Sequence, residues 1–299
     1  MKKLPGLGIA WLVCLHLFGQ SPFAFRDVGG VSLELSEGGK PVFLYNYGMI
    51  LKPGAEENMR RSTYLHPVYA PDGTVITDDF NPNHIHHRGI SWMWPVVVVE
   101  GKTYDLWTLG EIRQRFVRWI SRETKSDGAI LAVENGWYVG ERKIVKEDVE
   151  IHVHPVAENT RRLDFRLELE PVEAPVELGG MTEEKKGYGG LCFRFAPADG
   201  GARKTTIRTD KRAMPKDGVL EPASWAEVEA EFGGKRERIR IEDDPSNPGY
   251  PNNGWLLRHS FPFLNVSYPG LSRITLVKGK PLVLKYHFAL YSRDAARAR

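Results

Sequence analysis

Apolar residues recur at every second position along much of this chain, and that period restricts the available folds more than any other feature. Val149, Ile151 and Val153 alternate with Glu150, His152 and His154, and Leu163, Phe165, Leu167 and Leu169 alternate with Asp164, Arg166 and Glu168. Near the end, Leu282, Leu284, Tyr286, Phe288 and Leu290 share one face. Successive side chains of a strand point to opposite sides, so each segment reads as a strand with one buried face. Shorter candidates lie at 31–35, 42–47, 96–99, 129–133, 191–195, 236–241 and 274–277, separated by turn signals such as Pro71-Asp72-Gly73 and Lys216-Asp217-Gly218. Amphipathic helices are few; residues 224–232 fit a short one, with a strand starting at Trp225 as the alternative. No repeat of fixed period is present. The pattern predicts an all-β, mainly antiparallel protein, a large β-sandwich with few short helices, and argues against alternating strands and helices around a parallel sheet.

At the N-terminus, Met1-Lys2-Lys3 precedes an apolar stretch from Leu7 to Phe18 and then Gly19-Gln20-Ser21-Pro22-Phe23-Ala24. This is the layout of a secretory signal peptide, with an apolar stretch too short to span a bilayer comfortably. The sequence therefore predicts an exported protein, periplasmic or extracellular, with residues 1–24 as leader and 25–299 as a single β-sandwich domain. Pro22 stands where a small residue is normally wanted, so a cut near residues 19–21 competes with one after Ala24. Val13 before Cys14 departs from a lipoprotein signal. Without the leader only Cys192 remains, so no intramolecular disulfide can form, and its setting between Leu191 and Phe193 suits a buried small hydrophobe. The net charge of +3 gives no reason to expect nucleic acid or an anionic membrane as partner, and Lys235, Arg236, Arg238 and Arg240 read as one solvated strand face. No apolar span follows the leader. Phosphate loop, dinucleotide fingerprint, nucleophile elbow and His-Glu-x-x-His helix are all missing, so no nucleotide cofactor is expected.

Chemistry concentrates in residues 48–90, which lack periodicity and are rich in Pro, Asn, Asp, Gly and His. Four of the nine histidines fall between His66 and His87. In a regular strand His84 and His86 point one way and His87 the other, so the three meet only if the chain bends, which Pro82 and Gly89 permit. Two neutral imidazoles, His84 and His86, with a carboxylate would suit a divalent ion such as zinc or manganese; the plainer alternative is that the imidazoles bond loop backbone. Arg88 can hold an anionic or carbonyl oxygen, His66 and Tyr64 can exchange protons, and Arg61 lies in the same stretch. Trp92 can stack on a sugar ring or serve as a core ring. Glu147 shares the inward parity of Val149 and Ile151, and Arg194 interrupts the apolar strand of Cys192; each needs a partner or a task. A scaffolding pair between Glu147 and a buried arginine competes with a catalytic role. Trp255, Arg258 and His259 form a further cluster.

At Tyr64-Leu65-His66-Pro67, Pro71-Asp72-Gly73, His84-Ile85-His86-His87-Arg88-Gly89, Glu147, Gly190-Leu191-Cys192-Phe193-Arg194 and the residues from Trp255 to Arg258, the chain resembles a family of exported bacterial proteins of uncharacterised function, often labelled methane oxygenase PmoA. Asn83 stands where that family usually has aspartate. A membrane methane monooxygenase needs several apolar spans of about twenty residues, and none follows the leader here. The family in turn is similar to the galactose-mutarotase type of β-supersandwich, in which inward histidines and a glutamate act on sugar rings, and its setting implies saccharide breakdown on keto-sugars. The resulting expectation is a carbohydrate-active enzyme working by acid/base chemistry next to a carbonyl, as in β-elimination or hydrolysis of a 3-keto-glycoside. His66, His86, His87 or Glu147 would be the base, and Arg88, Arg194 or a divalent ion would stabilise the enolate oxygen. Arg61, Tyr64, Trp92, Trp255, Arg258 and His259 would bind the saccharide. Aldose mutarotation and non-catalytic glycan binding are the competing expectations.

Overall fold

A computed structural model describes residues 21–251 and 254–292; the expected leader, residues 1–24, lies outside them apart from its last four residues. Two large antiparallel sheets carry the chain. The first has eight strands in the order Phe23–Val28, Ser32–Glu37, Lys40–Asn46, Tyr64–Val68, Ile90–Met93, Gly190–Arg194, Phe263–Ser267 and Gly254–Arg258. The second has nine, in the order Ile112–Lys125, Gly128–Val139, Arg142–Val153, Thr160–Pro171, Leu282–Ser292, Lys235–Asp243, Trp225–Phe232, Thr206–Thr209 and Ala213–Met214. A four-stranded sheet (Arg273–Leu276, Val176–Gly179, Val96–Val99 and Lys102–Tyr104) and a hairpin of Asp79–Asn81 with His84–Arg88 complete the strands. Helix is confined, among the described residues, to three short 3-10 turns.

The alternation becomes burial as expected. Val145, Val149, Ile151 and Val153 point inward, as do Leu163, Phe165, Leu167 and Leu169 and, from the last strand, Leu284, Tyr286, Phe288 and Leu290. Both sheets contribute to one continuous core. Trp94, directly after a strand of the first, meets Trp137 of the second with ring centroids 5.4 Å apart, and Phe193 meets Phe288 at 6.3 Å. Of the two readings of residues 224–232 the strand starting at Trp225 holds, Trp225–Phe232, and not the helix. Ala226, Val228, Ala230 and Phe232 are buried at period two, while Glu227 and Glu229 sit on the other face under arginines of the neighbouring strand. The basic run of that neighbour is a paired sheet face: Arg236 bonds Glu229 at 2.7 Å and Arg240 bonds Glu227 at 3.0 Å. Cys192 is buried and free, and burial pushes its thiol up to about 11. No helix among the described residues is long and apolar enough to cross a membrane.

Phe23 and Ala24, placed within the leader by the longer estimate, belong to the first strand and pair with Glu37 and Ser36. Phe23 is buried in the core, so only the cut near residues 19–21 leaves this strand whole.

Candidate functional site

The histidine segment forms one arm of a hairpin whose register explains what parity alone could not. Asn81 stands opposite His84 and Asp79 opposite Arg88, so the single residue Phe80 faces the three residues Ile85, His86 and His87. Phe80 adopts a left-handed backbone, φ 56°, and the surplus residues bulge. The bulge breaks the two-sided alternation and brings the three imidazoles together. Ring centroids of His86 and His87 lie 4.5 Å apart, those of His84 and His87 4.9 Å in a stack, and those of His84 and His86 6.0 Å. One nitrogen from each ring lies within 4.8 Å of the others.

These rings line a cavity of about 540 Å³ whose walls include Trp107, Tyr188, Phe261 and Phe263, with Lys186, Asp217 and Arg258 as its charged members. His87 stacks on Phe263 at 4.7 Å and meets the edge of Trp107 at 5.6 Å; His84 leans on Phe261 at 4.8 Å. Among the described residues no protein group hydrogen-bonds a nitrogen of the three rings, and Nδ1 of His87 is buried without a partner. Neutral imidazole carries one donor and one acceptor, so a buried nitrogen of His87 without a partner is an unusual state. Burial, then the charges of Arg61 and its neighbours, holds His86 down at about 3; burial, then His86, holds His87 well below its ordinary value, and His84 is lowered in the same direction by burial and Arg194. All three are neutral at physiological pH and available as ligands or proton acceptors.

Arg88 does not face the cavity. It is fully buried, and its guanidinium donates to the carbonyls of Ile85, His87 and Met59, lies 3.0 Å from Asp79 and covers the Phe80 ring at 3.5 Å. It ties down the bulge from behind, so the expectation that it holds a ligand oxygen is corrected. Tyr64 is also sealed, donating to Asp79 at 3.1 Å, and burial raises that carboxyl to about 6. His66 bonds Thr77 at 3.0 Å, and burial lowers it to about 4; it does not line the cavity. Arg61 is buried, donating to the carbonyls of Leu106 and Trp107 and to the Met93 sulfur, with no carboxylate partner, and burial lowers it to about 9.

Glu147 lies elsewhere. It is buried between the two sheets and accepts from Gln114 at 2.9 Å, Asn135 at 2.9 Å and Trp137 at 2.6 Å. All of these donors are neutral, so the arginine pair is not formed, and Glu147 does not line the three-histidine cavity. Trp92 and Trp255 are core rings with no face open to a sugar; Trp255 donates to the carbonyl of Ala223. His259 is spent on Asp217 and on the carbonyl of Met214, and only Arg258 of its cluster reaches the cavity, 3.3 Å from Asp217. Arg194 comes close. Its guanidinium lies 4.9 Å from the ring of Phe261, a cavity wall, and two of its nitrogens, Nε and Nη1, make no hydrogen bond, with Asp78 at 3.6 Å. Trp107, Lys186, Tyr188, Asp217 and Phe261 went unnoticed as site residues in the sequence. They lie on four separate connections, Lys186 and Tyr188 sharing one, and only Asp217 carried a signal, as part of a turn.

Fold and site together define an antiparallel β-sandwich with a cluster of three histidines at a cavity walled by aromatic rings. The chain belongs to the Family of unknown function (DUF6807), whose model matches residues 32–299. No curated protein matches it. Among solved structures it is similar to a galactose mutarotase related enzyme from Lactobacillus acidophilus, at 8% identity and a TM-score of 0.40 over 91% of this chain and 97% of that one. It is similar also to a GalM/aldose epimerase homologue from C. elegans, at 8% identity and a TM-score of 0.40 over 92% and 100%. A heparinase III, the BT4657 gene product, matches at 12% identity and a TM-score of 0.30 over 89% of this chain, which spans only 30% of that longer one.

Proposed function

We propose that the protein is an exported carbohydrate-active enzyme that moves a proton next to the carbonyl of a small keto-sugar in the three-histidine cavity. The observation that carries this reading is the gathering of His84, His86 and His87, neutral and free of hydrogen bonds, on a cavity lined by aromatic rings. The aromatic walls fit the apolar face of a sugar ring, and the cavity is of the size that holds one or two such rings. In a 3-keto-glycoside the hydrogen on C2 is acidified by the neighbouring ketone. Its proton passes to the imidazole set, the electron pair moves to an enolate, and the bond from C1 to the leaving oxygen breaks as that oxygen takes up a proton. Arg258 on the cavity wall and Arg194 beside Phe261 would favour the negative charge on the way.

A nitrophenyl 3-keto-glucoside tests the reading. Release of nitrophenol by the parent should fall by about 100-fold or more in His86→Ala, while the melting temperature stays within a few degrees. Glycan affinity that survives His86→Ala, with no turnover by the parent, would make the cavity a binding site. Equilibration of α-glucose by the parent with no action on the keto-glucoside would make the protein a mutarotase.

A further inference from the structure

We infer that His84, His86 and His87 together bind one divalent transition-metal ion of the zinc class, with His87 as the third ligand and at least one coordination position open to the cavity. For its chemistry this rests on the reading above; the ion itself stands on geometry alone. A neutral imidazole nitrogen buried without a hydrogen-bond partner is costly, and Nδ1 of His87 is in that condition, with nitrogens of His84 and His86 within 4.8 Å in the same cluster. An ion between the rings removes that cost, because each nitrogen lone pair then has an acceptor. Three protein nitrogens plus an open site form the pattern of catalytic zinc centres, and imidazole suits zinc, copper and nickel better than magnesium or calcium.

The spacing fits after a small adjustment. Nitrogens about 2.1 Å from a tetrahedral ion stand about 3.4 Å apart, against separations of up to 4.8 Å here. His84 and His86 are only half-buried and can turn inward, whereas His87 is clamped between Phe263 and Trp107. The surrounding structure behaves as a support for the ligands. Arg88 holds the carbonyls of Ile85 and His87, fixing the backbone on both sides of His86. No carboxylate lies among the three ligands, so the ion keeps both positive charges, and Arg61 and Arg194 add to the local positive potential. Such a centre favours an anionic oxygen in its open position, either hydroxide or the enolate oxygen of a keto-sugar.

His152, His154 and Asp164, on the outer face of the nine-stranded sheet, form a second cluster with comparable spacing and supply the control. There His154 and His287 already bond Asp164, each at 2.6 Å, so these nitrogens are not without partners. The full chain, stripped with a chelator and dialysed, is titrated with Zn²⁺ by calorimetry and with Co²⁺ by visible absorption. One ion per chain is expected, with the intense visible bands of low-coordinate cobalt. His86→Ala should weaken binding by more than the roughly 10- to 100-fold that outer-shell partners are worth, and His152→Ala should leave it unchanged. His84→Ala, at the more exposed ring, serves as a second variant should His86→Ala unfold. Absence of saturable binding, or binding lost in His152→Ala and kept in His86→Ala and His84→Ala, overturns the site. One-to-one binding without keto-sugar turnover leaves the metal centre standing and removes the proposed function; turnover that survives complete removal of the ion leaves the proposed function standing and overturns the ion's part in its chemistry.

Discussion

At the scale of single residues, Glu147 and Arg88 show how far a charged side chain in an apolar strand can be read. The parity of Glu147 was legible, since it shares a face with Val145 and Val149, and the structure puts it on that face. Its company was not, because Gln114, Asn135 and Trp137 come from other strands and nothing in the sequence marks them as donors. A carboxylate held by three neutral donors is a packing element, so Glu147→Gln should cost stability, about 1–3 kcal/mol, and spare the cavity. Burial raises its pKa in the folded state. The stability it contributes is therefore full below the unfolded value of about 4.3 and is lost as pH rises through the higher folded one. The gap between parent and Gln variant should accordingly narrow with rising pH, as urea midpoints from pH 4 upward would show. A gap that widens with pH, or a variant that unfolds normally yet has no turnover, contradicts the assignment.

At the scale of elements, the hairpin of Asp79–Asn81 and His84–Arg88 is where local pattern and final structure part. Pro82 and Gly89 announced a bend, and a bend occurs. The three-against-one bulge opposite Phe80 depends on Arg88 reaching back to the carbonyls of Ile85 and His87, a tertiary arrangement with no periodic signature. Gly89 fixes where the bulge ends. Its backbone lies so close to the neighbouring strand that a β-carbon would overlap the carbonyl oxygen of Leu65. Its amide donates to Asp78 at 2.8 Å and its carbonyl accepts from Arg194 at 2.8 Å. The obstacle to a side chain is space, and the blocking atom is backbone, which cannot swing away. Gly89→Ala should therefore cost more than about 4 kcal/mol or abolish folding. Gly101→Ala is the comparison, since that turn glycine has φ 78° with open space around it, and should cost only about 1–2 kcal/mol. Equal losses for the two in chemical denaturation would mean that the strands can separate around a methyl group, and the hairpin would not be fixed as described.

At the scale of the molecule, two sheets share one core, and residues at the start of the first strand help close it. The long alternating strands were legible because each buries a whole face; the cavity was not, because its walls are turns that only the closed sandwich brings together. Phe23 is buried in that core, and Ser21 donates to the carbonyl of Lys125 at 2.8 Å, linking the start of the eight-stranded sheet to the edge strand of the nine-stranded one. A leader ending at Ala24 would remove both contacts and two of the six pairings between the first strands. The apolar side chain alone is worth about 3 kcal/mol when lost from a core. A chain beginning at Phe25 should therefore melt well below one beginning at Ser21, and mass spectrometry of exported protein should find an N-terminus ahead of Phe23. Removal of Phe23 without a change in melting temperature would show that this strand edge is not part of the cooperative core, and cleavage after Ala24 would then be compatible with the fold.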